Sequence, residues 1–154
     1  MCRILLGALL LIAARTAAAE QPHATGIYAE VGGKGGLWGV GLDHRVARAI
    51  NLGAVGSGFS QAGQRYVTLT PYVGVYLVKH GSSALFTDVG AQIVYVWSQS
   101  PVPEWQGDSS AGIGGSLSAG YEYRSRLLLR IFMQGVAGKG GVLPWAGASV
   151  GFTF

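Results

Sequence analysis

Ala146-Gly147-Ala148-Ser149-Val150-Gly151-Phe152-Thr153-Phe154 closes the chain. The even-numbered residues are apolar, and the odd-numbered ones between them are small or polar. A two-residue period sends alternate side chains to opposite faces of a β-strand, so one face meets an apolar medium and the other does not. This strand runs to the last residue and ends on an aromatic ring. Whether it belongs to a sandwich, a soluble barrel or a membrane barrel depends on the rest of the chain keeping the same rhythm.

Seven earlier segments alternate as well. Over 25–33, Ile27, Ala29 and Val31 oppose Tyr28, Glu30 and Gly32; over 37–46, Trp38, Val40 and Leu42 oppose Gly39, Gly41 and Asp43. The third segment, 50–59, is glycine-rich and the weakest in pattern. Over 65–78, Val67, Leu69, Val73, Val75 and Leu77 share one face, against Tyr66, Thr68, Thr70, Tyr72, Gly74 and Tyr76. Segment 84–98 sets Leu85, Val89, Ala91, Ile93, Tyr95 and Trp97 against Asp88, Gly90, Gln92 and Ser98. Segment 111–124 sets Ile113, Leu117, Ala119, Tyr121 and Tyr123 against Ser116, Ser118, Glu122 and Arg124. Segment 126–137 sets Leu127, Leu129, Ile131 and Met133 against Arg130 and Gln134. Strands of roughly 9–11 residues suffice to cross a bilayer at a tilt. Pro71 lies inside the fourth strand; because proline lacks a ladder donor, a bulge or local unpairing is expected there.

The N-terminus points to export. Arg3 precedes an apolar stretch from Ile4 to Ala14, and Ala17-Ala18-Ala19 stands before Glu20, the layout of a secretory signal peptide. The apolar core is too short for a spanning helix, which needs roughly 20 apolar residues. The expected organisation is therefore a signal peptide over 1–19 and one barrel domain over 20–154. Cys2, the lone cysteine, precedes the apolar core and would leave with the signal, so neither lipidation nor a disulfide framework is expected. Removing Arg3 and Arg15 reduces Lys plus Arg from 11 to 9 against 7 acids, from +4 to +2. The basicity belongs largely to the leader and gives no reason to expect nucleic acid as a partner.

Only 12% of residues are charged and 49% are hydrophobic, yet no segment of 20–154 is a spanning helix. A soluble β-barrel or sandwich would turn its apolar face inward and cover the other with Lys, Asp and Glu. Here the second face carries mainly Gly, Ser, Thr, Tyr and Gln, which suits the narrow interior of an eight-stranded barrel. Aromatic residues near strand ends (Trp38, Tyr95, Trp97, Tyr121, Tyr123, Phe152 and Phe154) fit interfacial girdles. The reading is an all-β, eight-stranded antiparallel up-and-down transmembrane β-barrel behind a cleaved signal peptide. An even strand number lets the two ends pair and removes open edges. With both termini in the periplasm, the long segment Gln99 to Ser110 is an outer loop, whereas the turns near Arg45 to Ile50, His80 to Ser83 and Arg124 to Arg126 face inward to the cell. In that loop Glu104, Trp105 and Asp108 are candidate extracellular contacts.

The same parity points Glu30, Asp43, Arg45, Asp88, Glu122, Arg124 and Arg130 into the lumen. Buried charges of both signs call for mutual pairing, because desolvating them alone is costly. Glu30, Asp88 and Arg130 lie about four or five residues from the periplasmic ends of their strands, and are therefore expected to interact. A structural plug is favoured over a proton or ion gate, since eight strands leave no continuous water channel.

Catalysis is not expected. Acyl transfer needs a nucleophile, a base in reach and usually an orienting group. His23 precedes the first strand, and His44 and His80 fall at periplasmic turns, away from the lipid A leaflet. No cofactor or metal signal is present. Gly32-Gly33-Lys34-Gly35-Gly36 and Gly138-Lys139-Gly140-Gly141 resemble phosphate loops superficially, but strands rather than helices follow, so both read as hairpin turns. Lys34 or Lys139 could there touch lipopolysaccharide phosphates.

The closing strand with its terminal Phe154 resembles that of bacterial outer-membrane barrels, whose assembly machinery favours a terminal phenylalanine. The run Tyr28 to Trp38 followed by Asp43-His44-Arg45-Val46 looks like the opening hairpin of small bacterial outer-membrane barrel proteins. Their Tyr-Glu-Arg-like strand end is replaced here by Leu42-Asp43-His44-Arg45. The architecture is similar to the small OmpA- and OmpX-like barrels, and no peptidoglycan-binding domain is expected after Phe154. That resemblance implies residence in the outer membrane of a Gram-negative bacterium, with outer-membrane lipids, lipopolysaccharide and the barrel assembly machinery as partners. It names no protein partner. A structural or surface-interaction role is expected, with a narrow gated channel for small solutes as the alternative and lipid A modification behind it.

Overall fold

The structure, a computed structural model, describes residues 23–61, 64–98, 109–138 and 141–154. Eight strands follow one another: β1 (Thr25–Gly33), β2 (Gly36–Arg45), β3 (Ile50–Gln61), β4 (Gln64–His80), β5 (Ser83–Ser98), β6 (Ser109–Arg124), β7 (Leu127–Gly138) and β8 (Gly141–Thr153). Each pairs antiparallel with its neighbours in sequence, and β8 pairs with β1, from Gly26↔Thr153 to Val31↔Ala148, to close the barrel. The seam is locked at its end, where Thr25 and Phe154 exchange backbone hydrogen bonds of 3.0 Å in both directions. Closure gives every strand a partner on each side and leaves no open sheet edge.

The alternation sorts side chains as the sequence implies. Ile27, Val40, Leu69, Val73, Ile93, Leu117, Ile131 and Val150 are exposed on the outside, while Glu30, Asp43, Thr70, Asp88, Glu122 and Arg130 are buried inside. At one pair of neighbours the contrast is stark: Arg130 is 4% exposed and Ile131 64%. Trp38 and Tyr95 lie exposed toward one rim, and Tyr121, Tyr123, Phe152 and Phe154 toward the other. The residues near Arg45 to Ile50, His80 to Ser83 and Arg124 to Arg126 are short turns on one rim, and β5 ends at Ser98 and β6 begins at Ser109 toward the other; residues 99–108 lie outside the described residues. Residues 1–22, and with them the signal peptide, lie outside the described residues, as do Glu104, Trp105, Asp108 and Lys139.

The glycines of the inner face make room for aromatic rings. Tyr28 pairs across with Gly41 and Tyr72 with Gly53. A Cβ at Gly41 would sit 2.3 Å from Tyr28 Cζ, and one at Gly53 2.5 Å from Tyr72 Cζ. The glycine content of β2 and β3 is thus the complement of rings lying flat across the neighbouring strand. On the β5 side of Pro71 the ladder passes from Leu69↔Ile93 to Tyr72↔Gly90 in unchanged register, without pairing the residues between. The local unpairing expected at this proline is present. The bulge is elsewhere, between Tyr76 and Val78.

The β1–β2 tip departs from a simple hairpin. Its last pair with β3 is Val40↔Gly56, and with β8 Val31↔Ala148. Beyond those points the tip bends into the lumen, and Gly33, Lys34 and Gly35 are all buried. Gly32 makes the bend possible: its φ is +58°, and a Cβ there would lie 2.4 Å from Ala146 O.

Candidate functional site

Among the described residues, charged and polar side chains gather in the lumen, in two tiers. In the tier nearer the rim of Thr25 and Phe154, β2 supplies Asp43 and Arg45, β6 supplies Glu122 and Arg124, and β7 supplies Arg130, each at an inward position of its strand. Arg124 Nη2 donates to both Asp43 oxygens at 2.7 and 2.6 Å, and its Nε donates to Glu122 Oε1 at 2.9 Å. Arg130 Nε donates to Glu122 Oε2 at 2.6 Å while its Nη2 bonds Asp43 Oδ2. Arg45 Nη2 reaches Glu122 Oε1 at 3.0 Å. Tyr76 donates its hydroxyl proton to Glu122 Oε1 at 2.9 Å, and Asn51 Nδ2 donates to Asp43 Oδ2 at 3.3 Å. Tyr28 and Tyr72 join hydroxyls at 2.8 Å, with the Arg130 guanidinium 5.0 Å from the Tyr28 ring centroid. Two carboxylates therefore share three guanidinium groups in a site with almost no solvent exposure, where charge-assisted bonds are strongest.

The outer tier is built around the inward β1–β2 tip. Lys34 Nζ pairs with Asp88 Oδ2 at 3.0 Å, with side chains only 1% and 2% exposed, and lies 4.6 Å from the Tyr72 ring centroid and 4.9 Å from that of Phe132. Asp88 also accepts from Ser118 Oγ at 2.5 Å. The tip's carbonyls are met by wall side chains: Gly33 O by Gln134 Nε2 at 2.8 Å, Lys34 O by Thr70 Oγ1 and Gln92 Nε2 at 3.0 Å each, and Gly35 O by Thr68 at 3.0 Å and by Ser57. Gly35 N donates to Glu30 Oε1 at 2.9 Å, leaving Glu30 Oε2 without a partner.

All seven lumen charges anticipated from the sequence thus have inward side chains, but the grouping differs. Glu30, Asp88 and Arg130 do not bond one another: Arg130 belongs to the inner tier, Asp88 to Lys34, and Glu30 to the tip backbone. Glu30 and Arg130 share a register row but turn to different partners, and Asp88 stands four residues from Ala84, the β5 residue that pairs with Glu122 on that row. Glu30 is level with Ser149, and Ser149 with Arg130. Lys34, expected in an outer turn facing lipopolysaccharide, is the eighth lumen charge, because its hairpin folds inward. The sequence contained a hint: four lumen acids against three arginines left one cation missing.

The histidines stay at the rim of Thr25 and Phe154, where His44 Nδ1 is 2.9 Å from Thr25 Oγ1 and His23 Nδ1 3.4 Å from Thr153 O. Among the described residues, no three His, Cys, Asp or Glu side chains converge as metal ligands.

A closed eight-stranded up-and-down barrel with charges within and hydrocarbon side chains without is the architecture of the small outer-membrane barrels. Two solved structures share it. The N-terminal β-barrel domain of Pseudomonas aeruginosa OprF superposes with a TM-score of 0.63 at 13% identity, covering 87% of this chain and all of that one. Ail, the attachment invasion locus protein of Yersinia pestis, superposes with a TM-score of 0.56 at 12% identity, over the same shares of the two chains. At such identity the likeness is one of fold. No protein-family model matches the sequence, and no curated protein matches it significantly.

Proposed function

We propose that the protein is an integral outer-membrane barrel, exported by a signal peptide over residues 1–19, with a structural role or one exercised through its outer loops. The observation that carries this reading is the inversion of polarity, with ion pairs inside and a belt of exposed Val, Leu, Ile and Phe outside. In water so continuous an apolar belt would drive aggregation. In a bilayer it is the required surface, and charges on it would cost about 2–4 kcal/mol each near the midplane. The outward ring of Phe154, 67% exposed at the end of the closing strand, fits recognition by the barrel assembly machinery.

The lumen is read as a plug. Eight strands leave an interior that side chains nearly fill, and here two ion-pair tiers and an inward hairpin tip occupy it. An enzymatic role has no support from the histidines, which stand at the rim away from the outer leaflet. Lipid A should keep its acyl pattern in mass spectra on overexpression.

Membrane extracts run with and without boiling test the reading. A folded barrel should migrate differently from its heated form, and recovery of the protein in the soluble periplasmic fraction overturns the proposal. Planar-bilayer recordings address the plug: purified protein should carry no steady current, and a conductance lost in Arg130→Ala would favour the narrow gated channel.

A further inference from the structure

The bulge in β4 turns a lysine toward the mouth of the lumen on the rim of Thr25 and Phe154. Up to Tyr76 the even-numbered residues of β4 face inward, and Tyr76 pairs with Phe86. Past the bulge Val78 pairs with Leu85, and Lys79 with Ala84. Leu77 and Val78 are therefore both exposed on the outside, and Lys79 shares the inner face with buried Ala84. Without the extra residue Lys79 would continue the outward row of Val73, Val75 and Leu77. Bulges recur beside functional sites, where they re-aim a side chain.

Lys79 is brought among cations. Its Nζ donates to Arg48 O at 3.3 Å and lies 5.4 Å from the Tyr76 ring centroid; the Arg45 guanidinium is 4.7 Å from the same centroid. Arg45, Arg124 and Arg48 repel the ammonium, and Glu122 attracts it. Glu122 is already taken, being bonded to Arg45, Arg124 and Arg130. Among the described residues no carboxylate pairs with Lys79 or Arg48, and the four acids, Glu30, Asp43, Asp88 and Glu122, all lie buried in the lumen. Around this mouth five cations (Arg45, Arg48, Lys79, Arg124 and Arg130) stand against two acids (Asp43 and Glu122), a balance of +3. A lysine on its flexible stem is free to swing from like charges into water. The bulge and the bond to Arg48 O hold this one against them.

The geometry points to an anion site at this mouth of the lumen, with Lys79 and Arg45 as donors, Arg48 beside them, and a phosphate group as the ligand class. Arg45 spends Nε on the Tyr76 hydroxyl and Nη2 on Glu122, and Lys79 spends one N–H on Arg48 O, so both retain donors. Phosphate brings up to two negative charges and several strong acceptor oxygens, which suits an excess of cations on different strands. A carboxylate brings one charge and offsets less of the excess. Two sources carry the group, free phosphate and a lipid headgroup. The site goes beyond the structural role above and does not depend on it.

Inorganic phosphate supplies the probe. The ¹⁵N-labelled protein, refolded in maltoside micelles that carry no phosphate, is titrated at constant ionic strength with chloride as the balancing anion. Amides of the turns at Arg48 and Gly81 should shift saturably, while those of Thr68 and Gln92 in the other half of the lumen stay in place. Lys79→Gln should weaken binding about tenfold or more, the worth of one charge-assisted hydrogen bond, while heat-modifiable migration persists. Lys79→Met, which keeps the stem, is the second variant should the first misfold. Arg126→Gln, on the next turn of the same rim, should leave binding unchanged. Micelles doped with phosphatidylglycerol separate the sources. A headgroup ligand displaces the same amides before phosphate is added and then competes with it, whereas a site for free phosphate titrates as before. No saturable shift with either source, a shift that chloride reproduces, one undiminished in both Lys79 variants, or one lost equally in Arg126→Gln overturns the assignment, and the cations of this mouth are then held by water alone.

Discussion

In the half of the lumen nearer Thr25 and Phe154, Asp43 and Glu122 are each held by two or more guanidinium groups, and tyrosine and asparagine take up the remaining lone pairs. In the outer half, one lysine–aspartate pair and a ring of hydroxyls and amides hold a backbone turn, and five buried polar atoms across the lumen's upper wall and at Glu30 and Ser149 have no partner. The formal charges divide accordingly: two acids with three arginines give +1 in the inner tier, and two acids with Lys34 give −1 in the outer. The difference teaches that the two ends are held by different physics. The inner tier fastens β2, β6 and β7 through few, strong, mutually dependent bonds, with β3 and β4 joined by Asn51 and Tyr76. The outer tier is many weaker neutral bonds to one movable segment, so it can adjust without the barrel opening.

The largest effect should come from cutting the inner tier. Arg130→Ala leaves both Asp43 and Glu122 short of a partner inside the barrel. Breaking one side of a buried ion pair costs about 3–5 kcal/mol. Urea unfolding from lipid vesicles should show that loss. If the variant unfolds at the wild-type midpoint, the inner tier is not what fastens the strands.

The neighbouring residue tests the other side of the wall. Ile131→Arg places a guanidinium on the lipid face one residue from a position where arginine is native. A cost of about 2–4 kcal/mol is expected near the midplane. Substitution at Ile131 without loss in vesicles would mean this face does not meet hydrocarbon.

Gly41→Ala comes third. Its methyl would land on the Tyr28 ring, which is closed in on the opposite side by the hydroxyl contact with Tyr72. Overpacking of this kind costs typically about 1–3 kcal/mol. In a Tyr28→Ala background, itself destabilised by loss of the buried ring, adding Gly41→Ala should cost less than it does in the wild type in the same unfolding measurement; an unchanged cost would show that the ring is not what the methyl strikes.

How far the sequence reached follows the same division. Strand number, the inward set, and strand bounds within two residues were legible because a two-residue period is local; the exception is β8, which begins at Gly141, five residues before the alternation read from Ala146. Glu122 and Arg130 are an example: they are inward by parity and face each other directly across β6 and β7. What was not legible depends on three-dimensional offset. Asp88 is offset in register from the row that Glu30 and Arg130 share, and those two turn to different partners despite similar counts from the strand ends. The fate of Lys34 depends on where β1 and β2 leave their neighbours, which no period encodes. Only the glycines on either side, with positive φ at Gly32 and Gly36, mark a chain able to fold over itself.

Thr70→Val addresses that outer tier with the smallest expected effect. Thr70 is fully buried, and its hydroxyl is one of two donors to Lys34 O, the other being Gln92 Nε2, both at 3.0 Å. A net hydrogen bond is worth about 0.5–1.5 kcal/mol, and the carbonyl keeps its second donor, so the single change should fall at the low end. Gln92→Leu alone should behave the same way. The double variant leaves the carbonyl unpartnered in the lumen, and its cost should exceed the sum of the singles, since an orphaned buried acceptor carries about 1–3 kcal/mol. The Gly35 amide, which donates to Glu30, reports on the tip itself. Its hydrogen exchange should quicken in the double variant while amides of the β6–β7 ladder keep their protection. Uniform loosening of both would show that tip and barrel open as one unit, and that the two tiers are not separate.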